Sequence, residues 1–145
     1  MAEPGNLSAE IKKLRDCLQE VDFLYHLKMQ EMDLLLGAMK KRRYLANFEV
    51  IKQGDKGDAF YMVSSGKLSV WVKKGFRSER VAFMGPGQFF GEGALVADRP
   101  RSATVKTEQE SELYILHKDS FNKVLMSNPG IAASIKAEIV KYKSK

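Results

Sequence analysis

The sequence is poor in the residues that build disulfide-linked, metal-dependent or membrane-spanning proteins. It has one cysteine, Cys17, and two histidines, His26 and His117, in 145 residues. A single thiol cannot close an internal disulfide, and neither histidine has carboxylates at metal-ligand spacing, so we expect no metal and no cofactor. No apolar run approaches the roughly 18 residues that span a bilayer, and the N-terminus lacks the features of a signal peptide. These absences predict a cytoplasmic chain without a membrane segment.

The remaining composition is that of a globular domain with excess positive charge. Hydrophobic residues make up 44% and charged residues 29% of the chain, and the formal net charge is +6. This length predicts a single domain over 1–145. The basic residues are spread over helices, a hairpin and the C-terminus, which favours solvated faces. Steering of an anionic ligand or contact with a partner are the alternatives.

Helical periodicity marks the N-terminal part of the chain, and we predict helices within 7–43. Ser8 is the predicted N-cap of the first helix, and Gln30–Lys41 is predicted to form the second. The first helix carries one apolar stripe, at Leu7, Ile11, Leu14, Leu18 and Val21. The stripe favours packing within the domain over helix-mediated pairing of subunits, because two heptads are too short to indicate a coiled coil.

A period-two pattern replaces the helical one over 44–116, where glycine turns separate short stretches. Leu68, Val70 and Val72 alternate with side chains that must face the other way. This pattern predicts an antiparallel sandwich or barrel. Two helices are predicted over 117–145, with a break near Pro129, since proline cannot continue a helix.

Residues 90–105 predict a pocket for a small phosphate. Gly91, followed by the small residues Gly93 and Ala94, lets the backbone approach a ligand closely and begin a short helix. The first N–H groups of that helix have no internal partner, so they attract an anion.

Arg101 and its neighbours add donors to this predicted pocket. A guanidinium can bind two phosphate oxygens at once, and the Ser102 hydroxyl and the backbone at Ala103 extend the donor set. Glu92 would repel a bare phosphate, so its presence indicates a ligand that also carries a hydroxyl donor, such as a ribose. A sugar with a phosphate indicates a nucleotide.

These residues resemble the phosphate-binding cassette of the cyclic nucleotide-binding domain family, which includes the catabolite activator protein, cyclic-nucleotide-dependent kinases and cyclic-nucleotide-gated channels. The upstream glycine turns and strands resemble the family's second landmark. Gly93 departs from the leucine or isoleucine that many members carry. The matching segments are Phe90-Gly91-Glu92, Ala94-Leu95, Pro100-Arg101-Ser102-Ala103-Thr104, Ile51-Lys52-Gln53-Gly54-Asp55, Gly57-Asp58-Ala59-Phe60-Tyr61 and Ser65-Gly66-Lys67-Leu68.

The resemblance implies a mainly β fold: an eight-stranded antiparallel jelly-roll barrel with an N-terminal helical lead-in and two C-terminal helices. It implies a stand-alone domain that binds a 3′,5′-cyclic purine nucleotide, cAMP in preference to cGMP, with Glu92 accepting a ribose hydroxyl. Leu95 would relay cassette closure to Phe121 and Val124, and so to a protein partner or output domain. Tyr142 would either contact the base or pack in the core.

Three alternatives to that function are considered. A jelly-roll scaffold that binds proteins without a nucleotide is the main one. Catalysis is disfavoured, because hydrolysis of a cyclic phosphodiester normally needs metal ions and no catalytic residues are predicted. A DNA-binding regulator is disfavoured too, since the fifteen residues after Gly130 are too few for a helix-turn-helix.

Overall fold

The computed structural model describes residues 4–144, with side chains from residue 9 onward. The predicted boundaries at residues 1 and 145, and the side chains of Leu7 and Ser8, lie outside that part. The elements are α1 (Pro4–Gln19), α2 (Met29–Gly37), β1 (Lys40–Tyr44), β2 (Glu49–Ile51), β3 (Ala59–Ser65), β4 (Leu68–Lys74), β5 (Arg77–Met84), β6 (Phe89–Phe90), β7 (Thr104–Thr107), β8 (Ser111–His117), α3 (Lys118–Ser127) and α4 (Pro129–Lys143). No helix in 4–144 is both long and apolar enough to cross a membrane.

The eight strands form two antiparallel sheets of four, with the orders β1-β8-β3-β6 and β2-β7-β4-β5. This is jelly-roll strand order, as predicted, but the hydrogen bonding does not close into one barrel. The sheets share one apolar core instead, because alternate side chains of both point into it. The core cluster comprises Tyr44, Ala59, Tyr61, Val63, Leu68, Phe90, Val105, Leu113 and Ile115.

The second helix is shorter than predicted. It ends at Gly37, and Lys40–Tyr44 is a strand, so the strands run from residue 40 to 117 rather than from 44 to 116. The prediction was wrong because the partner of β1 is remote in sequence. Strand β8 pairs with all of β1, and Lys41 and Arg43 form ion pairs with Glu112 and Glu110 of the β8 region. Tertiary pairing overrides the local helical period here.

The chain divides into two compact units: one contains β1 to β8, and the other contains α1, α2, α4 and nearly all of α3. In the helical unit, α1 begins at Pro4, so Ser8 lies inside the helix and is not its N-cap. The predicted stripe is buried at Leu14, Leu18 and Val21. The break between α3 and α4 falls at Asn128, as the proline after it predicts.

Candidate functional site

A short 3₁₀ helix, Glu92–Leu95, follows β6; we call it the cassette helix. Gly91 precedes it in the left-handed region, with φ +79°, which a side chain disfavours. The Ala94 N–H donates to the Gly91 carbonyl at 3.1 Å, and the Val96 and Ala97 N–H groups donate to Gly93. Ala94 and Leu95 are buried, and the helix packs on β3. The predicted tight turn and short helix are therefore both present.

Arg101 is the buried charge of this region. The residue is only 9% exposed, and Nη2 donates a hydrogen bond to the Ala59 carbonyl at 2.9 Å. Among the described residues, no carboxylate forms an ion pair with it. A guanidinium carries five N–H donors, and a buried charge without a counter-ion is costly. The arrangement therefore suits an incoming anion.

Two glycines make room for this guanidinium. A Cβ on Gly91 would lie 2.7 Å from Arg101 Nη1 and 3.0 Å from the Ala59 oxygen. A Cβ on Gly57 would lie 3.0 Å from the Ala94 Cβ and 3.2 Å from Arg101 Cζ. All four distances are shorter than ordinary van der Waals contacts, so a larger residue at either position would push the arginine or the cassette helix away.

Backbone hydrogen bonds hold the Arg101 segment against the turn after β2. The Arg101 N–H donates to the Asp55 carbonyl at 2.7 Å, and the Arg101 carbonyl accepts from the Gly54 N–H at 2.8 Å. An isolated bridge pairs Lys56 with Pro100. The guanidinium position thus depends on two segments nearly fifty residues apart in sequence.

The aromatic floor of the site is Tyr61. Its ring centroid lies 5.8 Å from Arg101 Cζ, and the ring stacks on Phe90 at 4.8 Å. Burial raises the pKa of the Tyr61 phenol, and the positive charge of Arg101 partly opposes that rise. Tyr61 therefore stays neutral at physiological pH and adds no competing anion.

The other predicted ligand residues lie on the same loop. Ser102 is exposed and Ala103 half-buried, and within the described chain their backbone N–H groups donate to no backbone carbonyl. Glu92 is half-buried and opens the cassette helix. The structure thus brings Gly91, Ala94 and Arg101 together, while the ribose role of Glu92 stays a prediction.

Sequence reasoning missed three members of this site. Gly57 supplies space, the Ala59 carbonyl accepts from the guanidinium, and the Asp55 carbonyl accepts from the Arg101 backbone. The one sequence signal for these residues is the glycine turn at Gly54–Asp58. From the sequence, that turn was assigned to a family landmark, and its contact with Arg101 was not predicted.

Four further residues were predicted to contact the base or to relay the movement of the cassette helix. The Tyr142 ring meets Phe23 edge-on, with centroids 5.2 Å apart, which is the core packing that was the alternative to base contact. Leu95 and Phe121 are buried and Val124 is half-buried. Base contact and relay both stay predictions. In the part of the chain that the structure describes, no group of three or more potential metal ligands occurs.

Two four-stranded sheets in jelly-roll order, with a buried arginine beside a short helix, place the chain among jelly-roll β domains. The model of the cyclic nucleotide-binding domain matches residues 41–128. The chain therefore belongs to the cyclic nucleotide-binding domain family, as its motifs predicted.

Similar proteins include a cAMP-dependent protein kinase regulatory subunit and a cyclic AMP receptor protein. The chain is 32% identical, over 126 residues, to a cAMP-dependent protein kinase regulatory subunit of Colletotrichum orbiculare, covering 87% of this chain and 32% of the relative. It is 32% identical to a cyclic AMP receptor protein of Thermus thermophilus, covering 79% and 54%. The regulatory domain of Toxoplasma gondii PKA, solved with cAMP, superposes with a TM-score of 0.71 at 28% identity, covering 86% of this chain and 46% of that one. The chain thus spans only part of each relative.

Proposed function

We propose that this chain binds a 3′,5′-cyclic purine nucleotide, with cAMP favoured over cGMP, and acts as a non-catalytic sensor. The observation that carries the proposal is Arg101, a buried guanidinium with one backbone acceptor and no carboxylate partner among the described residues. A singly charged cyclic phosphate would neutralise it and accept its remaining donors.

The ligand would lie along the 90–105 loop, with its phosphate between Arg101 and the backbone at Ser102 and Ala103. Glu92 would accept a hydrogen bond from the ribose 2′-hydroxyl, which a bare phosphate lacks. The cAMP preference draws support from the relatives, whose names specify cAMP. The Ser102 hydroxyl would be available to a guanine amino group, which keeps cGMP as the second ligand to test.

Occupancy would act through a population shift. A ligand moves an equilibrium only by its differential affinity for two states, so phosphate capture must favour a closed cassette helix. Leu95 would transmit closure to Phe121 and Val124 of α3, and from there to a protein partner or output domain. The same binding must raise the melting temperature by mass action.

Isothermal titration calorimetry of cAMP, cGMP and linear AMP tests the proposal. Before titration, the protein is unfolded and refolded to remove bound nucleotide. We expect cAMP to bind, and Arg101→Ala to lose about 1.5–3 kcal/mol for each charged hydrogen bond, hence at least about tenfold in Kd. Arg101→Lys keeps the charge but not the planar fork, so it should also bind more weakly.

Arg99→Ala is the matched control, because Arg99 is an exposed arginine on the same loop. It should bind cAMP as the wild type does. Thermal melts of each variant separate lost binding from lost folding. No heat with any cyclic nucleotide would contradict the proposal and favour a nucleotide-independent jelly-roll scaffold; unchanged affinity in Arg101→Ala would contradict the site.

A further inference from the structure

The outward face of the second sheet carries aromatic rings and cations together. Leu68 and Val70 of β4 point into the core, so Trp71 and Lys73 project to the opposite side. In register with this face are Arg80 and Phe83 on β5 and Lys106 on β7. We call this the basic–aromatic face, defined by Lys67, Trp71, Lys73, Arg80, Phe83 and Lys106.

Three of the four cations of this face lie over aromatic rings. Lys106 Nζ is 5.1 Å from the Trp71 ring centroid, while Lys67 Nζ and Arg80 Cζ are 4.3 and 4.4 Å from that of Phe83. No member of the basic–aromatic face forms an ion pair within the described residues. Some cations elsewhere do pair with carboxylates, as in Arg15 with Asp33, Lys41 with Glu112, Arg43 with Glu110 and Lys118 with Asp98. The basic–aromatic face therefore presents four positive charges that no ion pair among the described residues neutralises.

A concavity of about 780 Å³ opens beside Trp71 on the same face. Its lining includes Gln53, Lys73, Ser78 and Lys106, together with the single acidic residue Glu49. A volume of this size holds a few side chains rather than a domain. The cavity thus offers a wall of indole and two ammonium groups to a short segment.

The Trp71 side chain is held in place before any ligand arrives. Its indole N–H donates to the Ser69 hydroxyl at 2.8 Å, and that hydroxyl donates to the Glu108 carboxylate at 2.5 Å. Ser69 is fully buried beneath these contacts. A preorganised aromatic wall loses little side-chain entropy on binding, which favours affinity.

We propose that the basic–aromatic face docks an acidic segment of a partner protein, with an aliphatic side chain in the concavity against Trp71 and flanking carboxylates on Lys73 and Lys106. Charge complementarity selects an anionic occupant. A single-stranded nucleic acid is also anionic, but it needs free ring faces on which its bases stack. Here Lys67 and Arg80 already lie over Phe83, so of the two rings of this face Trp71 alone lines the concavity, and one ring does not stack a run of bases. Carboxylates with one aliphatic side chain therefore fit better than a single strand.

The chain has one tryptophan, so the Trp71 indole gives a single, assignable reporter. We would titrate the full chain with a short capped peptide of glutamates around two leucines and follow the indole N–H by NMR. The comparison ligands are the same peptide with lysine in place of glutamate and an oligothymidylate of similar length. We expect a saturable indole shift with the acidic peptide only.

Lys73→Glu/Lys106→Glu should weaken binding of the acidic peptide by at least about tenfold, because like charges would then face each other. Lys123→Glu/Lys136→Glu makes the same change in net charge on exposed helix positions and should bind as the wild type does. If the first variant melts early, Lys73→Gln/Lys106→Gln replaces it. The proposal is overturned by an unmoved indole signal at millimolar peptide, by equal weakening in both charge-reversed variants, or by tighter binding of oligothymidylate.

Discussion

At the scale of single residues, a substitution at Gly91 tests whether ligand binding depends on the close packing of Gly91 against the Arg101 guanidinium. Gly91→Ala places a methyl group 2.7 Å from Nη1 and 3.0 Å from the Ala59 oxygen, so the guanidinium must move. Gly87→Ala is the matched control, because Gly87 has φ +87° but open space around it. Both variants bear about 1–2 kcal/mol of left-handed strain. Only Gly91→Ala should also lose cAMP affinity, as measured by calorimetry. Equal affinities in the two variants would contradict the claim that Gly91 positions the Arg101 guanidinium for the ligand.

Cys17 is a residue whose chemistry the fold suppresses. It is buried, and burial, with a smaller contribution from the charge of Glu20, raises the pKa of its thiol to about 12. Since the thiolate is the reactive form, only about one thiol in 10⁴ is ionised at pH 8. We expect native protein to react far more slowly with Ellman's reagent than protein in concentrated urea. Equal rates would show that Cys17 is accessible.

At the scale of elements, the β3–β4 turn depends on Gly66. Its φ is +103°, and a Cβ there would lie 2.1 Å from the Ser111 Oγ and 2.6 Å from the Ser111 Cα, which is backbone of β8. In the β4–β5 turn, Gly75 has φ +63° and open space. Gly66→Ala should therefore lower the free energy of unfolding by about 1–3 kcal/mol more than Gly75→Ala in urea titrations. Similar losses of unfolding free energy in the two variants would mean that the β8 backbone at Ser111 moves to accommodate the methyl group at little cost.

Elements whose signals are local were predicted well, and elements whose partners are remote were not. The inward positions of Leu68 and Val70 in β4 and the break at Pro129 each depend on neighbouring residues, and both are confirmed. The helix predicted over Gln30–Lys41 was wrong beyond Gly37, because β8 supplies the hydrogen bonds and carboxylates that turn Lys40–Tyr44 into a strand. Local periodicity carries no information about that pairing.

At the scale of the whole molecule, the proposed relay through Leu95 can be tested by hydrogen exchange. In the wild type, cAMP should slow amide exchange both in the cassette helix and in α3 and α4. Leu95→Ala should keep the first response and lose the second, since it removes the proposed transmitting side chain. Leu113→Ala is the matched control, because it truncates another buried leucine in the sheet core.

Both leucine variants should lose about 2–5 kcal/mol of stability, because each leaves a cavity in a packed region. A difference between them in hydrogen exchange therefore does not come from the loss of stability itself. A response of α3 and α4 that persists in Leu95→Ala would exclude that side chain as the relay. If α3 and α4 lose their response to cAMP in both variants, reduced stability explains the loss and the relay through Leu95 is not supported.

The sequence by itself determined the family, the jelly-roll strand pattern and the cassette, because glycine spacing, alternation and the Pro100–Thr104 motif are short-range features. Only the tertiary structure decided what surrounds Arg101: Gly57, the Ala59 carbonyl and the Asp55 carbonyl come from a segment more than forty residues upstream. It also decided that Trp71 and Lys106 meet on one face, since they lie on neighbouring strands that are distant in sequence. A motif specifies residue types, whereas a binding site is made by the contacts that folding brings together.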